Sequence, residues 1–306
     1  YASRFLLPEF FKHKLIFNII CSKEGFSASY LAKKFNFKQI STDWQASIQD
    51  RVANTVVIST RHHDHALQVS KALGADKNIF IEKPLAINNE QLMLIKKKWE
   101  NLKIHPILMV GFNRRFAPQI LKMKDLLAQT TGLKYIVITI NAGFLNKNHW
   151  LKDLNEGGGR LIGEVCHFID LLRYLISVPI RNADILSLEA NQDQINISLK
   201  FQDGSVGIIH YLANGHKAFP KERIEVFTAG KIIILENFKK MRALGYKNFY
   251  KMNLWRQDKG QKNCIAAFLD GIKKGKMPIP INEIFEVHEI CFALIKKLHY
   301  PSHHHE

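Results

Sequence analysis

Three short stretches combine residue types able to bind, orient or move protons. Glu82-Lys83-Pro84 closes an apolar run, Ile79-Phe80-Ile81, so a carboxylate and an ammonium emerge together from a buried strand. Pro84 pins the segment and biases Lys83 towards an extended conformation. Glu82 can accept hydrogen bonds from a ribose hydroxyl, and Lys83 can serve as an acid/base beside a nicotinamide. A structural salt bridge at a strand end would use the same two groups. The second stretch, Thr60-Arg61-His62-His63-Asp64-His65, follows the apolar segment Val56–Ser59 as a polar loop. Ligands of open α/β sheets bind outside the carboxyl ends of the strands, which makes Thr60, His62 and His65 candidate cofactor contacts. Three His and one Asp also suggest a metal, but adjacent residues rarely converge on one tetrahedral centre and no second cluster completes it. No metal is expected, and a solvated loop is the plain alternative.

The third stretch runs from Glu156-Gly157-Gly158-Gly159-Arg160 to His167 and Asp170. On a helix beginning near Arg160, Leu161, Ile162, Val165, Phe168, Ile169, Leu172 and Leu175 fill the apolar surface. Arg160, Gly163, Glu164, His167 and Asp170 recur at i, i+3 and i+4 as one polar stripe. A polar stripe on a buried helix costs free energy unless it lines a wet cleft. His167, with Glu164 at i−3 and Asp170 at i+3, sits behind three glycines that permit close ligand approach. Cys166 and His167 do not form a nucleophile pair, because helix neighbours point about 100° apart.

The elements that must position these groups change character near residue 112. Before it, helix and strand alternate: a helix over 3–12, a strand over 15–21, and a helix over 27–35. Strands over 56–59, 78–81 and 107–111 then alternate with helices over 64–73 and 88–99. Continuous apolar strands between helices predict a doubly wound, Rossmann-like parallel sheet covered on both faces. After residue 112 come a helix over 118–129, a strand over 134–141 and the long helix over 160–177. Strands follow in quick succession over 183–190, 194–202, 205–213, 223–228 and 231–236. Asp203-Gly204 marks a hairpin. Helices over 259–274 and 282–298 close the chain. The reading is a dinucleotide-binding domain over 1–112, an α+β domain with a mostly antiparallel open sheet over 113–300, and a tail over 301–306. A doubly wound sheet normally begins with a strand and a Gly-rich turn, whereas this chain opens on a helix. Residues before Tyr1 are therefore expected to supply the first strand and G-x-G, with Ala2 as the third small position of that motif.

The 306 residues carry 44 Lys+Arg against 27 Asp+Glu, a formal charge of +17. Of those cations 33 are Lys and 11 Arg, scattered on the polar sides of amphipathic stretches such as Lys96-Lys97-Lys98. Nucleic-acid recognition favours Arg, and no binding module is recognisable, so no nucleic-acid partner is expected. No apolar run reaches the roughly 18 residues of a membrane helix. Cys21, Cys166, Cys264 and Cys291 include no Cys-x-x-Cys pair and read as reduced thiols of a cytoplasmic protein.

Taken in order and spacing, the Thr60–His65 segment, Glu82-Lys83-Pro84, Gly111-Phe112-Asn113-Arg114-Arg115-Phe116 and Gly157-Gly158-Gly159 through His167 to Asp170 resemble the Gfo/Idh/MocA family, that of glucose–fructose oxidoreductase and inositol dehydrogenase. The wording around His149-Trp150 and the glycine run is most similar to the C-terminal half of bi-domain oxidoreductases, in which another domain precedes this unit. The resemblance implies NAD or NADP along the carboxyl edge of the parallel sheet, with Glu82 on ribose, Asn113 among the cofactor contacts, and Lys83 as proton shuttle or positioner. It implies His167 as a second acid/base or substrate ligand. The family's Asp four residues before this His is Gly163 here, with Glu164 beside it as a substitute. Ser22 and Lys23 follow the strand that would contact the adenosine ribose, and Lys23 can accommodate a 2′-phosphate, tilting the choice slightly to NADP.

The expected activity is hydride transfer between nicotinamide and a sugar, polyol or sugar-derived hydroxyl. Arg114, Trp150, Arg160, Glu164, His167 and Asp170 are the expected substrate contacts, and Lys83 and His167 the catalytic pair. A homo-oligomer through the C-terminal sheet is expected. The rivals are an NAD-assisted glycosidase of the same fold, and a non-catalytic or truncated partner deficient in cofactor.

Overall fold

The computed structural model describes residues 2–146, 148–188 and 193–299, so the tail 301–306, residue 300 and the end of the strand expected over 183–190 lie outside the described residues. The chain divides into two compact units, Tyr1–Gly111 with Gln261–Ile281, and Phe112–Gly260 with Asn282–Glu306.

In the first unit, β1 (Ile19–Cys21) pairs in parallel with β2 (Gln39–Ser41), and β3 (Thr55–Ile58), β4 (Asn78–Ile81) and β5 (Leu108–Val110) form a parallel sheet in that order. The helices are α1 (Leu7–Phe11), α2 (Gly25–Phe35), α3 (Trp44–Gln49), α4 (His62–Gly74), α5 (Asn89–Glu100) and α8 (Gln261–Lys274). Ile79, Phe80, Ile81, Leu108, Met109 and Val110 are all fully buried, as strands covered on both faces must be. Asn88 caps α5 by accepting a hydrogen bond from the Gln91 N–H at 2.9 Å, and Lys97 and Lys98 sit in its last turn, where cations complement the helix dipole.

Two features of this unit stand out. The described strands form separate two- and three-stranded parallel sheets, and β1 and β3 are not paired with each other. Helix α8 joins this unit although it follows the second unit's strands in sequence. Its Phe268 ring packs edge-on against Phe10 and Phe80, with centroids 6.4 and 5.5 Å apart, and that burial overrides chain order. β2 and α3 were not anticipated, because three half-exposed residues and six helical ones leave little periodicity to read.

The second unit is built on an eight-stranded sheet of β6 (Tyr135–Asn141), β7 (Ile180–Ser187), β8 (Gln194–Phe201), β9 (Val206–Leu212), β10 (Glu222–Thr228), β11 (Lys231–Glu236), β12 (Lys240–Leu244) and β13 (Lys251–Asn253). Its order is β13-β12-β11-β10-β6-β9-β8-β7; β6–β9 is the parallel pair and the other pairs are antiparallel. Alternation sets its faces: Ile195, Ile197, Leu199 and Phe201 of β8 are buried while Asn196 and Lys200 are exposed. Against the buried face packs α7 (Cys166–Ile176), whose Leu172 lies where a Cβ on Gly207 would stand, 2.7 Å away. The unit also holds α6 (Pro118–Ala128) and most of α9 (Ile281–His299). The Asp203-Gly204 hairpin forms as read, with Gly204 at φ +91°. β12 and β13 escaped the sequence reading because Lys240, Arg242 and Lys251 dilute their apolar alternation. Among the described residues no helix is long and apolar enough to cross a membrane.

Candidate functional site

In the first unit the conspicuous polar residues gather at the carboxyl ends of β3, β4 and β5. The ladder closes there with the Glu82 N–H donating to Ile58 O at 2.9 Å and the Gly111 N–H to Ile81 O at 2.7 Å. Glu82 and Lys83 leave β4 half-buried, followed by the buried Pro84 across a cis peptide bond. A Cβ placed on Gly111 would stand 3.0 Å from Glu82 Oε1 and 3.2 Å from its Cδ, so the carboxylate rests against the bare Cα of residue 111. A side chain there would require the carboxylate to give by a few tenths of an ångström.

The segment read as a polar loop is instead mostly helix, since α4 begins at His62. The Thr60 hydroxyl donates to Gln68 Oε1 at 2.9 Å, eight residues further on. His65 is wholly buried, with Nδ1 2.6 Å from Pro84 O and Nε2 3.2 Å from Thr60 O. Burial holds its pKa below the usual histidine value, and the two carbonyls oppose that shift. His65, on the first turn of α4, thus faces the Pro84 and Thr60 carbonyls, and no face of its ring reaches solvent. His62 is also buried, its ring centroid 5.5 Å from that of His65. Ala2 lies half-buried in a π-helical turn, Ala2–Leu6, Ser22 half-buried just after β1, and Lys23 exposed.

In the second unit, Asn113–Phe116 form a 3-10 turn whose three polar residues each hold a separate partner. Asn113 donates to Lys259 O at 2.6 Å, and a Cβ on Gly260, at φ +84°, would stand 2.3 Å from Asn113 O. Arg114 Nη2 donates to Glu222 Oε1 at 2.7 Å, its guanidinium also lies 4.8 Å from the Phe168 ring centroid, and Lys259 meets the same carboxylate at 2.9 Å. Burial acts to raise the Glu222 pKa, but Arg114 and Lys259 outweigh it and hold the carboxyl below its ordinary value. Arg115 Nε reaches both Asp170 oxygens at 2.8 Å, and Nη1 reaches Glu283 at 2.6 Å. Asp170 is fully buried, and burial pushes its carboxyl up to about 6 despite Arg115. Asp170, expected as a substrate contact, is the buried partner of Arg115, and Arg114 and Asn113 are engaged within the unit.

The glycine run also has a different cause from the one expected. A Cβ on Gly157 would fall 2.5 Å from Leu151 Cα and 2.6 Å from Trp150 O, while Gly158 and Gly159 have φ of +76° and +78°. The residues satisfy backbone packing and left-handed geometry rather than ligand approach. The helix then starts as a π-helical turn, Leu161–Val165, before α7 takes over. A 3.6-residue wheel does not describe that turn. Arg160 is 2% exposed and donates to Tyr211 Oη at 2.8 Å, Asp193 Oδ1 at 3.0 Å and Gly143 O at 3.0 Å. Lys152 holds the other Asp193 oxygen at 2.8 Å, and the Tyr211 hydroxyl donates to Glu164. Arg160, expected as a substrate contact, is the hub of a buried network that supplies the polar stripe with internal partners. His167 remains nearly buried, with the Phe112 ring edge-on at 6.0 Å, and Trp150 is half-buried beside His149. Arg115, Tyr211, Asp193, Glu222 and Glu283 escaped the sequence reading because their partners lie 33 to 168 residues away, beyond any spacing signal. Among the described residues no group of three or more His, Cys, Asp or Glu is placed to hold a metal ion.

Residues 9–112 match the profile of an oxidoreductase family with an NAD-binding Rossmann fold, Gfo/Idh/MocA. A levoglucosan dehydrogenase of Pseudarthrobacter phenanthrenivorans is 26% identical over 228 residues, 62% of this chain and 57% of that protein. A myo-inositol 2-dehydrogenase of Thermotoga maritima is 23% identical over 267 residues, 81% of this chain and 78% of that protein. The match thus spans little more than half of the first relative's length. A solved levoglucosan dehydrogenase, in complex with NADH and L-sorbose, superposes with a TM-score of 0.82 at 20% identity, covering 94% of this chain and 88% of that one. An NAD-binding oxidoreductase from Klebsiella pneumoniae gives 0.83 at 16% identity, covering 96% and 92%. At these identities the structural likeness establishes the fold.

Proposed function

We propose that this chain, which belongs to the Gfo/Idh/MocA family of NAD-binding oxidoreductases, is a dehydrogenase acting on a hydroxyl of a sugar, polyol or sugar-derived compound. The observation that carries the reading is the Glu82–Lys83 pair, half-buried at the carboxyl edge of the parallel sheet, with its carboxylate seated on Gly111. A dinucleotide fits that edge: the Glu82 carboxylate rests closely against Gly111, and, half-buried, it is an acceptor suited to ribose hydroxyls. NAD, when bound, supplies the hydride acceptor or donor. Glu82 orients the ribose, and Lys83 holds or moves the substrate hydroxyl proton at its Nζ. His167 on α7 is assigned a supporting role as substrate ligand or second acid/base. The relatives are named for inositols and levoglucosan, polyhydroxylated rings, which supports the substrate class. Exposed Lys23 after β1 supports NADP beside NAD, and a comparison of KM for the two cofactors in wild type and Lys23→Ala tests it.

Cys21, Cys166, Cys264 and Cys291 are thiols not joined in disulfides, and the last three are buried, which supports a reducing, cytoplasmic setting. The face of the eight-stranded sheet turned from its core exposes Tyr135, Leu212 and Phe227, which supports self-association through that sheet. A sedimentation-equilibrium monomer at micromolar concentration would count against it. For the central reading the test is NADH formation with myo-inositol and levoglucosan as probes. Lys83→Met should lose turnover while keeping wild-type thermal unfolding.

A further inference from the structure

The chain between the end of β4 and the start of α5 leaves the sheet ladder yet stays buried: Pro84, Leu85, Ala86 and Ile87 are all inaccessible. Buried backbone outside a ladder must find other partners. On one side of Lys83 the last ladder bond runs from the Glu82 N–H to Ile58 O at 2.9 Å. On the other side the Pro84 carbonyl faces His65 Nδ1 at 2.6 Å. A further tie, from the Ile87 N–H to Gln91 Oε1 at 3.0 Å, follows three residues later. Lys83 is thus held between a strand bond and an imidazole.

We propose that His65 is a positioning residue for Lys83: its Nδ1–H fixes the Pro84 carbonyl to the first turn of α4, and so fixes the backbone from which the Lys83 side chain extends. The inference rests on the assignment of Lys83 as the proton-handling group. Both neighbours of the ring are carbonyl oxygens, which only accept, and a neutral imidazole has one N–H to give. The 2.6 Å contact to Pro84 O, against 3.2 Å to Thr60 O, assigns that proton to Nδ1. Complete burial of the ring favours the neutral form, and Lys83 disfavours a second positive charge nearby, against the opposing pull of Asp64 and the two carbonyls. Helix α4 supplies the rigidity: Val69, Ala72 and Leu73, on the turns after His65, are fully buried.

Three substitutions separate the donor from the volume. His65→Asn places an amide N–H where Nδ1 stands, His65→Gln places one where Nε2 stands, and His65→Phe keeps the ring without a donor. Two readouts are taken: the 13C resonance of reductively methylated Lys83, assigned by its loss in Lys83→Arg, and kcat against KM for NAD in NADH formation. The account expects His65→Phe to shift the Lys83 resonance and lower kcat by about ten- to a hundredfold, the scale of a misplacement near 1 Å, with KM for NAD within about threefold. His65→Asn should restore both readouts towards wild type, and His65→Gln should not. An unmoved Lys83 resonance and kcat in a folded His65→Phe protein would overturn the proposal. If His65→Phe does not fold, Asn and Gln variants with equal resonances and equal kcat overturn it as well. Turnover surviving in Lys83→Met would instead sink the catalytic assignment of Lys83, while the resonance still reports whether His65 positions it.

Discussion

Replacing Gly111 with Ala puts a methyl group 3.0 Å from Glu82 Oε1 and 3.2 Å from Cδ and Oε2. Comfortable carbon–oxygen contact begins a few tenths of an ångström further out, so either the carboxylate or the end of β5 must move. Overpacking of this size costs about 1 kcal/mol of stability. The larger consequence lies in binding, because a charge-assisted hydrogen bond from a ribose hydroxyl contributes about 1.5–3 kcal/mol and depends on carboxylate position. Losing half of it, about 0.75–1.5 kcal/mol, weakens NAD binding by roughly three- to twelvefold, since 1.4 kcal/mol is a factor of ten. Calorimetric titration with NAD, alongside thermal unfolding, measures both effects. A double-mutant cycle isolates the cause: in a Glu82→Ala background the added Gly111→Ala should change NAD affinity by less than about twofold. Unchanged NAD affinity in the folded Gly111→Ala protein would refute the placement of Glu82 at the ribose. So would equal losses in both backgrounds.

Three further outcomes follow from the second unit. Arg160→Leu strips partners from Asp193, Tyr211 and Gly143 O at once, and unfolding in urea should show a loss of about 3–5 kcal/mol; a stable variant with a raised substrate KM would restore Arg160 to the substrate. Gly157→Ala forces a Cβ within 2.6 Å of backbone atoms of Trp150 and Leu151 and should lower stability by about 3 kcal/mol, readable as a fall in Tm. For Glu222, the folded pKa lies below the unfolded value of about 4.3, so its contribution is present above that value and lost as pH falls through the folded pKa. The stability gap between wild type and Glu222→Gln should therefore be constant above about pH 5 and narrow below pH 4; a gap that widens on acidification would contradict the pairing with Arg114 and Lys259.

Legibility in the sequence followed the range of the interactions. Ile79-Phe80-Ile81 announced β4 because a continuous apolar run bounded by charge has few other uses, and Glu82 and Lys83 could be placed at its carboxyl end from that alone. The alternation of Ile195, Ile197, Leu199 and Phe201 did the same for β8. The Arg160–Asp170 stripe was legible only in part, since periodicity reports which residues share a face but not what faces them; Asp193, Tyr211 and Arg115 meet it from distant parts of the chain. The π-helical turn at Leu161–Val165 was unreadable for a related reason: its register is imposed by the anchoring of Arg160 and Glu164, not by local propensity. His65 shows the same limit in miniature. Its neighbours in sequence suggested a ligand-facing loop, and only the fold brings the Pro84 carbonyl to its ring, 19 residues away.

The central claim is that Lys83 handles the substrate proton at an NAD site on the carboxyl edge of the parallel sheet. Its most direct measurement is the initial rate of NADH formation for wild type and Lys83→Met across a panel of polyols and sugars that includes myo-inositol and levoglucosan. The account predicts NADH from wild type with at least one polyhydroxylated ring, and from the folded variant a rate lower by at least about a hundredfold, the scale of a lost general acid–base group. A folded Lys83→Met protein turning over at the wild-type rate would contradict it.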